Sequence, residues 1–237
     1  MHDRFGRQIN YLRISVTDRC NLRCVYCMPA KGVPSKPHGE ILSYEEMVIL
    51  VTAGVKSGIR HVRITGGEPL VREGLIDFIR RLKGIPGIKE LALTTNGILL
   101  APLAAELKAV GLDRVNISLD TLERDKFAAI TRRDRLKEAW QGIEAALAIG
   151  LDPVKINTVA LKGVNEDELV SIAKLTLAYP LHVRFIEVMP LGSDVGWARQ
   201  HTLPLPKIKA KVEGAGKLFP TSVPGAGPAQ VFCYRQG

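Results

Sequence analysis

Val115-Asn116-Ile117-Ser118-Leu119 alternates apolar and polar side chains without a break. A strand with one face in a core and the other against polar surroundings reads this way. The pattern recurs along the chain. Tyr11, Arg13 and Ser15 alternate with Leu12, Ile14 and Val16, and Arg63 and Thr65 with Val62 and Ile64. Thr94 and Asn96 alternate with Leu93, Lys155 and Asn157 with Val154 and Ile156, and Arg184 sits between Val183 and Phe185. The strands expected are 10–16, 61–65, 90–95, 113–119, 153–159 and 181–187. Helical patterns fall between them, at 43–57, 72–83, 99–110, 135–149 and 165–178. Ser43 with Glu46 has the spacing of a capping box, and Gly111 and Gly150 stand where left-handed C-caps belong.

Strands alternating with helices imply a parallel sheet joined by right-handed crossovers. A sheet covered by helices on both faces needs near-continuous apolar strands. These strands have one polar face each, so helices on the outside and a polar lumen inside fit better. Six strands cannot close an eight-stranded ring. The expected fold is therefore α/β, a partial (βα)6 barrel open on one side, formed by residues 1–194. From about Val195 the periodicity fades, and Pro204, Pro206, Pro220, Pro224 and Pro228 interrupt it. Residues 195–237 read as a poorly specified C-terminal region.

The 237 residues hold 33 Lys and Arg against 24 Asp and Glu, a net charge of +9. That surplus points to a polyanionic partner, either nucleic acid or a phosphorylated small molecule. At 46% hydrophobic residues the chain is not a disordered one. It has no apolar stretch long enough for a transmembrane helix, and Met1-His-Asp-Arg-Phe-Gly-Arg7 lacks the core of a signal peptide. A cytoplasmic protein with no membrane partner is expected. Arg13, Arg63, Lys155 and Arg184 all face the expected lumen. Gathering cations is costly without an anion, which favours a phosphate-bearing substrate. The alternative is that some are solvated or paired with Glu68 or Glu187.

Three of four cysteines, Cys20, Cys24 and Cys27, fall in eight residues, while Cys233 stands alone. Without an export signal, this spacing reads as a metal site rather than disulfides. Structural zinc would need a fourth ligand, for which His38 is the candidate. The polar neighbours Asp18, Arg19, Asn21 and Arg23 argue against three inert buried thiols. An iron–sulfur cluster held by three thiolates remains, with one iron left open to a ligand.

Cys20-Asn-Leu-Arg-Cys24-Val-Tyr-Cys27 resembles the cluster motif of radical S-adenosylmethionine enzymes, and Gly66-Gly67-Glu68-Pro69 resembles their second motif. The wider context resembles the GTP 3′,8-cyclase family of molybdenum-cofactor biosynthesis. It includes Arg13-Ile-Ser-Val-Thr-Asp-Arg-Cys20, Thr94-Thr-Asn-Gly97, Asn116-Ile-Ser-Leu-Asp120, Val154-Lys-Ile-Asn157 and Arg184-Phe-Ile-Glu-Val-Met-Pro190. The likeness runs from about residue 3 to residue 194.

The resemblance implies a radical-type partial barrel with a 4Fe-4S cluster on Cys20, Cys24 and Cys27. S-Adenosylmethionine would chelate the open iron and meet Tyr26, Gly66, Gly67, Glu68, Ser118 and Met189, with Gly67 letting backbone come close. Arg13, Arg63, Thr94, Lys155 and Arg184 would bind GTP. One electron from the reduced cluster would yield a 5′-deoxyadenosyl radical, which takes hydrogen from C3′ of GTP before C3′ attacks C8. No catalytic carboxylate or histidine is implied. The implied partners are GTP and an electron donor such as flavodoxin or ferredoxin, with a homodimer among the assemblies and no nucleic acid.

Two departures stand out. His61 replaces a lysine common in the family, which would weaken phosphate attraction there. The family also holds a second 4Fe-4S cluster on three C-terminal cysteines, and here only Cys233 follows Cys27. The chain thus resembles a C-terminally truncated member, with weak or absent cyclisation expected. The competing readings are a different radical enzyme such as a peptide modifier, a non-catalytic fragment, and a basic zinc-bound nucleic-acid module.

Overall fold

In the computed structural model, residues 3–34, 37–190, 194–223 and 229–234 are described. Six parallel strands form one sheet in sequence order: β1 (Tyr11–Ser15), β2 (His61–Thr65), β3 (Glu90–Thr95), β4 (Arg114–Ser118), β5 (Val154–Ala160) and β6 (Leu181–Glu187). Sequential order with every pair parallel means each crossover packs on the same face. The helices are α1 (Tyr44–Lys56), α2 (Leu75–Lys83), α3 (Leu100–Ala109), α4 (Arg124–Thr131), α5 (Leu136–Ala148) and α6 (Leu169–Ala178). This is the α/β half-barrel expected from the alternation.

The outward strand residues Val62, Ile64, Leu91, Leu93, Val115, Ile117, Val154 and Ile156 are buried in one core with helix residues such as Phe78, Leu82, Leu107 and Ile143. Each such side chain contributes about 1.5–3 kcal/mol by leaving water. The inward residues are mostly polar or charged, with Ala92, Val159 and Ile186 as exceptions, so the two faces of the sheet differ in kind. The capping box is present: Ser43 Oγ accepts from the Glu46 N–H, and Glu46 accepts from the Ser43 N–H. Gly111 and Gly150 both take positive φ, 99° and 71°, closing α3 and α5.

Four differences from the expectation have physical causes. Helix α2 starts at Leu75 because Pro69–Val71 forms a short 3-10 turn first. Helix α6 starts at Leu169, after a turn in which Asn165 is fully buried. Helix α4 has no apolar periodicity long enough to announce it, and it ends on Arg132 at φ 56°, where a glycine would have been the signal. The region after 194 holds regular structure in short pieces. These are α7 (Val195–Gln200), α8 (Leu205–Val212) and an antiparallel pair, β7 (Leu218–Thr221) with β8 (Val231–Tyr234). Pro204 sits just before α8 and Pro206 inside its first turn, where proline is tolerated. Ile208 and Val212 of α8 bury against Leu169 and Ala173 of α6. Pro224 and Pro228 lie outside the described residues. Among the described residues no helix is long and apolar enough to cross a membrane.

Candidate functional site

The loop that follows β1 carries the three clustered cysteines, and four separate parts of the fold hold it. The first is the Gly66-Gly67 pair after β2. Gly67 N–H donates to Thr17 O and Glu68 N–H to Arg19 O, both at 2.7 Å. A Cβ on Gly66 would lie 2.6 Å from the Thr17 carbonyl oxygen, and one on Gly67 only 2.2 Å from that of Arg19. These glycines are needed so that two backbones can touch beside Cys20.

The second is Glu68. Its side chain, 1% exposed, turns into the protein instead of toward a ligand. It accepts from Thr95 Oγ1 (2.7 Å), Asn96 N–H (2.7 Å) and Leu70 N–H (3.1 Å). Burial pushes its carboxyl upward, and these three donors oppose the shift. The resemblance implied that Glu68 meets the cosubstrate; here its carboxylate is committed to the frame beneath the loop. Asn96 extends that frame, its Nδ2 donating to Asn21 Oδ1 at 2.6 Å.

The third is the end of α4. Arg23 N–H donates to Thr131 O and Val25 N–H to Ile130 O, each at 2.9 Å. Arg132 Nη1 then donates to the carbonyls of Arg23 (2.8 Å) and Met28 (3.0 Å). The sequence reading missed this clasp because α4 itself was missed. The fourth is Asp120, fully enclosed after β4. Tyr26 Oη donates to it at 2.6 Å and Val159 N–H at 2.8 Å. Burial lifts the Asp120 carboxyl to about 6 against those two donors. Burial, then the Asp120 charge, raises the Tyr26 phenol.

Within the loop the thiols sense one another. Cys24 donates to Cys27, which lowers the Cys27 thiol and raises that of Cys24; burial raises Cys20. Leu22 N–H points at the Cys20 sulfur at 3.4 Å. Among the described residues, no three His, Cys, Asp or Glu side chains converge as a single metal ion requires. An iron–sulfur cluster asks something different, since its thiolates each take a separate iron and stand apart. The donor set, three free thiols on one loop with Cys27 exposed, fits such a cluster. The His38 side chain lies outside the described residues.

Ser118 closes the C-terminal end of β4, and Met189 follows β6 by two residues. Val188 packs in the same cluster as Tyr26, Ile130 and Val159. Ser118 and Met189 thus both lie toward the C-terminal ends of their strands.

Below them, the strand register lines up the expected anion-binding residues. Arg13 pairs with Arg63, Arg63 with Ala92, and Ala92 with Arg114, so one row carries three arginines spaced by a small side chain. The next row holds Thr94, Asn116, Lys155 and His182, and the one above has Ser118, Asn157 and Arg184. All of Arg13, Arg63, Thr94, Lys155 and Arg184 therefore face one lumen. Arg114 was missed, although it stands two residues before Asn116 on the same face. Neither Glu68 nor Glu187 compensates these cations. Glu187 receives the Leu205 N–H outside the lumen, and the ion partner inside is Glu90, 2.7 Å from Arg114.

The cations are under strain. Lys155 is 3% exposed, and burial followed by Arg184 and Arg114 lowers it to about 8. Burial also lowers Arg63 and Arg184, with neighbouring guanidiniums adding to the effect. Arg63 Nε is buried with no hydrogen-bond partner among the described residues, while its guanidinium lies 5.2 Å from the Tyr11 ring centre. His61 stands at the rim, Nδ1 3.8 Å from Glu90.

Comparison with known proteins sharpens the picture. The Radical SAM superfamily profile matches residues 14–176. A GTP 3′,8-cyclase of Pelotomaculum thermopropionicum is 55% identical over 98% of this chain and 72% of its own length. That of Heliobacterium modesticaldum is 53% identical over 97% and 71%. Among solved structures, Streptococcus suis SuiB superposes with a TM-score of 0.66 at 17% identity, covering 86% of this chain and 45% of SuiB. The hydrogenase maturase HydG gives 0.63 at 14% identity, over 86% of this chain and 49% of HydG. These two share the half-barrel, each spanning about twice the matched length. Cysteine loop, glycine pair and cationic lumen occur here in a chain about half identical to curated cyclases, and it belongs to the radical S-adenosylmethionine superfamily and, within it, to the GTP 3′,8-cyclase family.

Proposed function

We infer that the lumen beneath the cysteine loop is the GTP site of this enzyme. The reaction of its family converts GTP to (8S)-3′,8-cyclo-7,8-dihydroguanosine 5′-triphosphate in molybdenum-cofactor biosynthesis. The single observation carrying the site reading is the under-compensated cluster of inward-facing cations, Arg63, Arg114, Lys155 and Arg184, of which Arg114 and Lys155 are buried. Such a pocket is costly when empty and is completed by a polyphosphate.

Cys20, Cys24 and Cys27 would hold the 4Fe-4S cluster. With S-adenosylmethionine bound, the cluster would supply hydrogen-abstracting radical chemistry. The chain's own residues do the rest. The backbone of Gly66 and Gly67, with Tyr26, Ser118 and Met189, lines the place of the cosubstrate, and Glu68 keeps that backbone in position. Arg13, Arg63, Lys155 and Arg184, with Thr94, orient the nucleotide by its phosphates. Holding the ribose near the loop makes hydrogen transfer effectively intramolecular. The walls keep out water and other hydrogen donors.

An acidic one-electron donor, a flavodoxin or ferredoxin, suits the exposed Cys27 edge with Arg132 nearby. A homodimer and a cytoplasmic location complete the reading. Residues 1–194 are taken as the catalytic half-barrel and 195–237 as a separate C-terminal region.

The test is anaerobic reconstitution with iron and sulfide, followed by reduction with S-adenosylmethionine and GTP. Release of 5′-deoxyadenosine supports the radical reading, and GTP-dependent deuterium transfer from C3′ of labelled GTP supports the substrate. An iron-loaded protein that releases no 5′-deoxyadenosine overturns both.

A further inference from the structure

A pocket built for a polyanion contains one residue that repels it. Among the described residues, Glu90 is the only carboxylate at an inward-facing strand position. Glu90 Oε1 accepts from Arg114 Nη2 at 2.7 Å. Arg114 Nη1 donates to Asn116 Oδ1 at 3.4 Å, and Arg184 Nη1 reaches the same oxygen at 3.5 Å. Asn116 is itself fixed, with Nδ2 donating to Leu93 O at 3.3 Å. A chain of contacts therefore runs from β3 through β4 to β6 across the pocket.

Lys155 lies beside this chain. The groups facing it are Arg184 and His182 from β6, Arg114 from β4, Glu90 from β3 and Arg63 from β2. Arg13 and Tyr11 of β1 lie beyond Arg63. Of these, Glu90 alone favours the charged lysine.

We propose that Glu90 is a positioning residue of the phosphate pocket: it ties Arg114 back from the ligand, anchors Arg184 through Asn116, and is the one inward carboxylate among the described residues that faces these cations. The proposal rests on the reading of the lumen as the nucleotide site. Glu90 thereby sets how many cations meet the phosphates. Arg114 acts as a brace, while Arg184 and Lys155 face the ligand.

The test is Glu90→Gln in the whole chain, with two measurements. The first follows the Lys155 ammonium by NMR in nucleotide-free protein. Its midpoint, about 8 in the parent, moves down by roughly half a unit to one unit in the variant. The second is GTP affinity against pH. At pH ~6.5 the variant binds GTP more tightly by about 3-fold to 10-fold, because a repelling charge is gone. That advantage narrows above pH ~8, where the variant's lysine must first take up a proton. Should the glutamine variant not fold, Glu90→Asp carries the test, with the shorter carboxylate giving smaller shifts in the same directions. A folded variant whose lysine midpoint stays put overturns the proposal. If the midpoint moves but GTP affinity ignores pH, Glu90→Gln and Arg63→Ala alike, the nucleotide reading falls and the electrostatic role of Glu90 is upheld.

Discussion

The cysteine loop and the lumen lie a few residues apart on the same strands, yet they are stabilised by different means. At the loop, backbone meets backbone across Gly66 and Gly67, and Glu68 commits both oxygens to protein donors. In the lumen, arginines and a lysine crowd together around Glu90, and Arg63 keeps a buried Nε unpartnered among the described residues. The frame of the first region is satisfied by protein groups alone. The second leaves its cations under-compensated by protein groups. Damage to the loop should therefore cost stability, whereas neutralising the lumen should add it.

The largest effect belongs to Gly67→Ala. A methyl group 2.2 Å from the Arg19 carbonyl oxygen cannot be accommodated without moving the cysteine loop. A loss of about 3 kcal/mol or more is expected, together with most of the iron taken up on reconstitution. Iron and sulfide analysis beside a denaturant melt would show it; full iron content would refute the tight packing.

Glu68→Ala comes next. It strands the Thr95 hydroxyl and the N–H groups of Asn96 and Leu70. A destabilisation of roughly 3 kcal/mol follows from leaving buried donors unmet, measurable by chemical unfolding of the protein without nucleotide.

Lys155→Met goes the other way. Removing a buried cation beside others should stabilise the nucleotide-free protein by about 1–3 kcal/mol, while GTP affinity drops at least about tenfold. A lower melting temperature would contradict the account of the lumen.

The smallest effect is on pH. The folded Lys155 titrates at about 8, against 10.5 for an ordinary lysine. Between these values the unfolded chain holds the extra proton, so stability without nucleotide rises with pH across that window and is flat in this respect below it. GTP binding should take up a proton near pH ~8 and weaken as pH rises further. Calorimetry in buffers of different ionisation enthalpy reports that proton directly.

Much of this was legible in the chain. Period-two alternation in Val115–Leu119 and its counterparts gave the inward and outward faces correctly. Arg13, Arg63, Lys155 and Arg184 could thus be assigned to one lumen before any coordinates. Arg114 obeyed the same rule and was overlooked. Helix α4 was illegible for a physical reason: eight residues with Phe127 and Ile130 as its main apolar contacts carry little periodicity, and Arg132 replaces the usual glycine signal. Its clasp on the cysteine loop was invisible with it. The burial of the Glu68 side chain was equally hidden, because a motif gives the order of residues and says nothing of where a carboxylate turns.

By itself the sequence determined the strands, their faces, the three-thiol loop and the excess of positive charge, since each is a local pattern or a count. Tertiary structure alone decided that Gly66 and Gly67 press against Thr17 and Arg19, that α4 grips the loop, and that Glu90 is the carboxylate among the cations. Those contacts join residues distant in the chain, and their energies depend on separations that only the folded register sets.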